Sequence, residues 1–241
     1  MTNSTAPQIG FDRFIQLNWV MAAMRVRAGL ASLDELLELL EIVKLGKEAK
    51  TKTLTKLNAL AMAPRTELVE FIDRGIHIVK GADAQTEITA FAWGAAIASY
   101  PYFGKIAEFI GRLASIQGDC AVSEIHRRIS EVFGDREVTK RATQAVIQTQ
   151  ANWGAVERVE KGKRLIRLQP KRVRDENLML WLVEAALRYH QKAVPLASLQ
   201  SSAVIYPFVF EQPLAYLISR STALEVISAG PSCQLVALRK W

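Results

Sequence analysis

REVTKRATQAVIQTQANWGAVERVEKGKRLIRL, residues 136–168, changes its period at the middle. Up to Trp153-Gly154 the apolar positions Val138, Ala142, Ala145 and Val146 recur at helical spacing, and a glycine there supplies the left-handed backbone that ends helices. Beyond it Val156, Arg158, Leu165, Ile166 and Leu168 alternate about Lys161-Gly162-Lys163, which is a hairpin pattern. Just upstream, Ser123 opens a shorter helix with Ile125, Ile129, Val132 and Phe133 inward, broken by Gly134-Asp135. The order is helix, short turn, helix, glycine stop, basic hairpin.

Charge singles out the same region. Residues 136–174 carry eleven Lys or Arg against three Glu, a net of +8 within a chain whose total is +7, so all remaining residues together come to −1. A positive field gathered in one place is the footprint expected of a polyanion binder.

Over residues 104–169 this order resembles the winged helix-turn-helix class of DNA-binding domains. The resemblance implies that the second helix enters the major groove while the hairpin, or wing, reaches the flanking backbone. With Val138, Ala142 and Val146 inward, a turn of about 100° per residue leaves Arg136, Thr139, Lys140 and Thr143 outward with Gln144 beside them. Thr and Gln can read base edges, Arg can do either job, and Lys140 positions on phosphate. Lys161, Lys163 and Arg164 on the wing supply attraction that weakens with salt. Winged helices also dock proteins, so an interaction scaffold is the alternative reading.

The first half reads as all helix. Apolar spacing gives a helix over residues 11–30. Ser32 with Glu35 makes a capping box for a second, and further helices cover Lys47 to Met62, Thr66 to Val79, Thr86 to Ser99 and Lys105 to Ile116, with Tyr-Pro-Tyr-Phe at 100–103 as a turn. Trp93, Tyr100, Tyr102, Phe103 and Phe109 are read as core, and the lysines at 44, 47, 50, 52 and 56 as a solvated face. After residue 175 come a helix over 176–193, a short helix over 213–220, and a hairpin pairing Leu224 and Val226 with Leu235, Val236 and Leu238 around Gly230-Pro231. The expected architecture is mainly α: a helical bundle over 1–103, a winged helix-turn-helix over 104–175, and a helix with a hairpin over 176–241. Each hairpin follows a helix, which hints at a second unit of the same type.

No enzyme motif presents itself. His77, His126 and His190 have no partner at metal spacing, Cys120 and Cys233 suit small buried hydrophobes, and no phosphate-binding glycine loop or nucleophile elbow occurs. The expectation is therefore a non-enzymatic protein without cofactor or metal. The amino terminus lacks the order of a secretion signal, and the apolar stretches at 89–103 and 201–219 are short or broken by Pro and Glu, which points to a cytoplasmic protein with no membrane partner.

KTLTKLNAL at 52–60, YPYFGKIAEF at 100–109 and NWGAV at 152–156, set in a helical first half followed by the hairpin segment, resemble the BrxA-like family of bacteriophage-exclusion (BREX) defence loci. That resemblance implies a small non-catalytic component of a bacterial anti-phage system. Its partners would be double-stranded DNA and other proteins of the system, and self-association through the apolar first half is open.

Overall fold

The computed structural model describes residues 8–81, 85–228 and 234–239. Its first half is helical. Residues 8–16 run over the surface without regular structure before α1 (Leu17–Arg27), so the helix expected from residue 11 starts six residues later. The apolar spacing misled because Phe11 and Ile15 are fully buried from a segment without regular structure.

In α2 (Leu33–Ile42), the Ser32 hydroxyl accepts from the Glu35 N–H while Glu35 reaches back to the Ser32 N–H, the reciprocal cap expected from the sequence. α3 (Lys47–Leu57) widens into a π turn over Asn58–Met62 ahead of Pro64. α4 (Val69–Val79) follows a tight turn, and α5 (Gln85–Ser99) is buried at every position from Ile88 to Ser99 because α1, α4, α6 and α9 surround it. α6 (Pro101–Gln117) starts earlier than expected. Tyr100 alone forms the turn, and Pro101 occupies the first helical position, where its missing N–H costs nothing.

The second half is built from two units with the same chain order. The first comprises α6, β1 (Asp119–Ala121), α7 (Val122–Phe133), α8 (Glu137–Asn152), β2 (Val156–Val159) and β3 (Arg164–Arg167). All three strands are antiparallel in the order β1-β3-β2, with Cys120 opposite Leu165 and Arg158 opposite Leu165 from the other side.

β4 (Lys171–Val173) then leads to α9 (Glu176–His190), β5 (Val194–Pro195), α10 (Leu196–Gln200), β6 (Phe208–Phe210), α11 (Leu214–Ser219), β7 (Leu224–Ser228) and β8 (Gln234–Leu238). Here the sheet order is β5-β8-β7, again antiparallel, so the second unit repeats the first with β6 inserted between its second and third helices. β6 pairs parallel with β4, the strand that follows the first unit. Leu224 faces Leu238 and Val226 faces Val236, the pairing expected of the second hairpin; its Gly230-Pro231 turn and Cys233 lie outside the described residues.

One buried core runs through all of these elements. Trp93 packs edge-on against Trp153, Tyr206 and Phe208, contacts of about 0.5–1.5 kcal/mol each beyond area burial. Its indole N–H donates to the Val204 carbonyl at 2.8 Å. Trp181 of α9 stacks on Phe71 at 4.4 Å and lies flat over α5, where a methyl at Gly94 would come within 2.2 Å of the indole ring. Only glycine allows that approach. Among the described residues no helix is long and apolar enough to cross a membrane.

Candidate nucleic-acid interface

α7 and α8 meet through Gly134, whose φ of +86° turns the chain, and Asp135. Ile125, Ile129 and Phe133 of α7 pack against Ala142, Val146 and Ile147 of α8, all buried. The helix is rotated from the orientation expected from its sequence. Val138 is 49% exposed, whereas Thr139 and Thr143 are 1% and 0% exposed, so neither threonine faces outward.

The cause is local. The Thr143 hydroxyl donates to the Thr139 carbonyl at 2.8 Å, and the Tyr102 hydroxyl sits 2.9 Å from that carbonyl and 2.8 Å from Thr143 Oγ1. Thr143, satisfied in this way, buries as readily as valine, whereas Thr139 is buried with its carbonyl bonded and its hydroxyl without a hydrogen-bond partner among the described residues. Burial also pushes the Tyr102 phenol up to about 12, so it stays a neutral hydrogen-bonding group.

The outward stripe of α8 is Glu137, Lys140, Arg141, Gln144 and Gln148, and it forms one wall of a groove of about 540 Å³. His126 of α7 lies in the same groove, its Nε2 3.0 Å from the Gln144 amide nitrogen. Burial, then the charge of Lys140, lowers the His126 pKa, which favours the neutral ring able to accept the Gln144 N–H. Asp12, Arg13 and Phe14 form the opposite wall. Three hydrogen bonds pin this segment to the far half of α8: Ile15 N–H to Thr149 Oγ1 (3.0 Å), Leu17 N–H to Asn152 Oδ1 (2.9 Å), and the Trp153 indole to the Ile15 carbonyl (3.0 Å).

The basic hairpin forms as expected. Glu160, Lys161 and Gly162 all have positive φ, a tight left-handed turn that carries Lys161 at its tip. Arg158 folds over this turn, so that a methyl at Gly162 would meet its guanidinium at 2.7 Å. Lys161 and Lys163 are exposed, and among the described residues neither they nor Arg158 has a carboxylate within ion-pair distance.

Other cations of the +8 segment are already engaged. Arg164 forks onto Asp119 across the β1–β3 pair, with Nε at 3.0 Å from one oxygen, so it belongs to the sheet more than to the wing surface. Lys171 Nζ donates to the Gly154 carbonyl at 2.6 Å and is half-buried, which lowers its pKa. Arg167 donates to the Tyr206 carbonyl and Arg136 to the Phe133 carbonyl. On α8, Lys140 lies 3.3 Å from Asp135 and Arg141 3.0 Å from Glu137, both pairs exposed and weak. The cations of this segment without an ion-pair or carbonyl partner among the described residues thus lie on the hairpin, while the exposed Arg172 and Arg174 share the single carboxylate of Glu211.

Of the eight residues singled out in the sequence, Lys140 and Gln144 share the groove, Lys161 and Lys163 share the hairpin, and Arg136 precedes α8 with its guanidinium donating back to the Phe133 carbonyl at the end of α7. Gln148, Arg141 and Arg158 were missed, although Gln148 stands four residues beyond Gln144 and follows once the threonines are turned inward. Arg13 carries no such signal, because it lies more than a hundred residues away in the chain. Among the described residues no group of His, Cys, Asp and Glu gathers as metal ligands would.

Comparison with protein families, curated proteins and solved structures finds no match for the chain.

Proposed function

We propose that residues 101–168 act as a winged helix-turn-helix and that the protein is a non-enzymatic binder of double-stranded DNA. The observation that carries this reading is the pairing of two surfaces: a hairpin whose Arg158, Lys161 and Lys163 lack carboxylate partners among the described residues, and a helix whose outer stripe ends in Gln144 and Gln148. Lys161 and Lys163 hold phosphates, Lys140 and Arg141 exchange their weak surface pairs for phosphate, and the two glutamines face base edges. From the resemblance of its short strings to the BrxA-like family, we further propose that this activity serves a bacteriophage-exclusion defence system.

A second reading, a scaffold that docks a protein partner through the same helix, has its own support. Val138 is an exposed apolar side chain on α8, and Asp12, Asp135 and Glu137 would repel phosphate nearby.

Binding to a labelled random-sequence duplex, with Lys161→Glu/Lys163→Glu alongside, separates the two. The DNA reading expects wild-type binding that weakens steadily with salt and a variant with a shallower salt slope. Unchanged binding by the variant sinks the wing assignment, and a partner retained in high salt favours the scaffold.

A further inference from the structure

The segment around Arg13 is not a loose tail. Phe11 and Ile15 are each fully buried, and the residues between them bridge those anchors across the surface. Phe11 packs on Tyr100 and Phe103 with ring centroids 5.2 Å apart in both cases, and Lys56 Nζ holds the Gly10 carbonyl at 2.6 Å. The three hydrogen bonds from α8 and Trp153 fix the other side. Residues 12–14 are therefore held against the outward stripe of α8 before any ligand arrives, which lowers the ordering cost of a contact made there.

The charges in the groove are unequal in what they have left to offer. Asp12 is paired with Lys56 at 3.0 Å, Glu137 with Arg141, and Lys140 with Asp135 just outside the groove. Arg13 has no carboxylate within ion-pair distance among the described residues. Its charge contributes only a minor share to the lowered pKa of Glu48, which a hydrogen bond from Lys52 dominates. A half-buried guanidinium facing a groove and lacking an ionic partner is a donor fork awaiting an oxyanion.

We propose that Arg13 is a phosphate-binding residue of the DNA interface, so that the amino-terminal segment and the α8 stripe grip one duplex from the two sides of the groove. The proposal rests on the DNA reading above and adds a contact from outside the helix-and-hairpin unit. Arg13 takes a backbone phosphate and Gln144 and Gln148 face the bases, while the hairpin lysines hold the flanking backbone. The contact carries no sequence information; it sets where along the duplex α8 sits.

The test uses the full chain, a labelled random-sequence duplex and a series of salt concentrations, with wild type, Arg13→Gln, Arg13→Lys and Lys161→Glu/Lys163→Glu compared. Loss of one phosphate contact shallows the log–log salt slope by about 0.9 and weakens binding by about fivefold to tenfold at ~0.1 M salt. Arg13→Gln is expected to show both effects with an unchanged melting temperature, since no hydrogen bond of the fold uses the Arg13 side chain among the described residues. Arg13→Lys is expected to keep most of the slope. If Arg13→Gln matches wild type while the hairpin variant is weakened, the proposal is overturned and the DNA reading stands. If wild type binds no duplex at low salt, both fall together.

Discussion

The two helix-and-hairpin units share an order of elements and an order of strands, yet they present different chemistry to solvent. In the first, the third helix is α8, sixteen residues long with Lys140, Arg141, Gln144 and Gln148 along its outer side. In the second, the corresponding helix is α11, whose six residues LAYLIS contain no charge, with Leu214, Leu217 and Ile218 buried. The hairpins differ likewise. β2–β3 carries Arg158, Lys161 and Lys163, whereas β7–β8 exposes Val226 and Ile227 with Glu225 between its ends. Residues 136–174 net +8 and residues 176–241 only +1. A shared topology supplies a platform, and the side chains placed on it decide what it binds. The second unit is better suited to closing the core around Trp93, Tyr206 and Phe208 than to holding a polyanion.

This contrast can be broken by substitution. Trp153 ends α8 as a fully buried residue tied to Ile15, while Arg220 ends α11 at the surface. Trp153→Ala is expected to destabilise by about 3–5 kcal/mol in urea unfolding. Arg220→Ala should change stability by less than about 0.5 kcal/mol. Equal costs would mean that the two helix ends are equivalent.

Next in size is the charge contrast. Lys161→Glu/Lys163→Glu removes the two phosphate contacts proposed for the hairpin and should shallow the salt slope of duplex binding by about 1.8, with a loss of tens-fold near ~0.1 M salt. Arg239→Glu, after β8 in the second hairpin, should leave the slope unchanged. A comparable effect from both would assign the second unit an equal share in binding.

Within α8, the exposed and buried polar residues should separate cleanly. Gln144→Ala is expected to relax base preference at one position by about 1–3 kcal/mol, read by selection from a randomised duplex, with the fold intact. Thr143→Val should cost about 1 kcal/mol of stability, because the Tyr102 hydroxyl loses a partner, and leave base preference alone.

The smallest expected effect concerns the histidines. His126 in the first unit and His190 at the end of α9 both have pKa values lowered below 6.5, chiefly by burial. Each takes up a proton more readily unfolded than folded, so the associated stability is present above about pH 6.5 and is lost as pH falls below it. Urea midpoints should drop between about pH 7.5 and 5.5, and His126→Gln should flatten part of that drop.

Much of the fold was legible because local rules and global packing agree in it. Ser32 and Glu35 announced α2, Gly134 and Gly154 bounded α8, and alternation about Gly162 gave the first hairpin. The failures have a common origin in contacts that are distant in sequence. Phe11 and Ile15 have helical spacing but sit in irregular chain, Phe11 against Phe103 of α6 and Ile15 bonded to α8, and Thr139 and Thr143 look like surface residues until Tyr102, from α6, is seen to bond the Thr139 carbonyl and the Thr143 hydroxyl. Arg164 read as free charge because its partner Asp119 lies on β1, 45 residues away. The recurrence of the strand order in β5-β8-β7 rests on a two-residue strand, Val194–Pro195, too short to leave a pattern of its own.

The most direct test of the division of labour between the units is amide hydrogen exchange of the full chain with and without a saturating random-sequence duplex. Added protection is expected in the first half of α8 and in β2–β3, with residues 214–228 and 234–238 unchanged. Protection centred on α11 and β7–β8, or none in α8 and β2–β3 while the duplex is bound, would contradict that division.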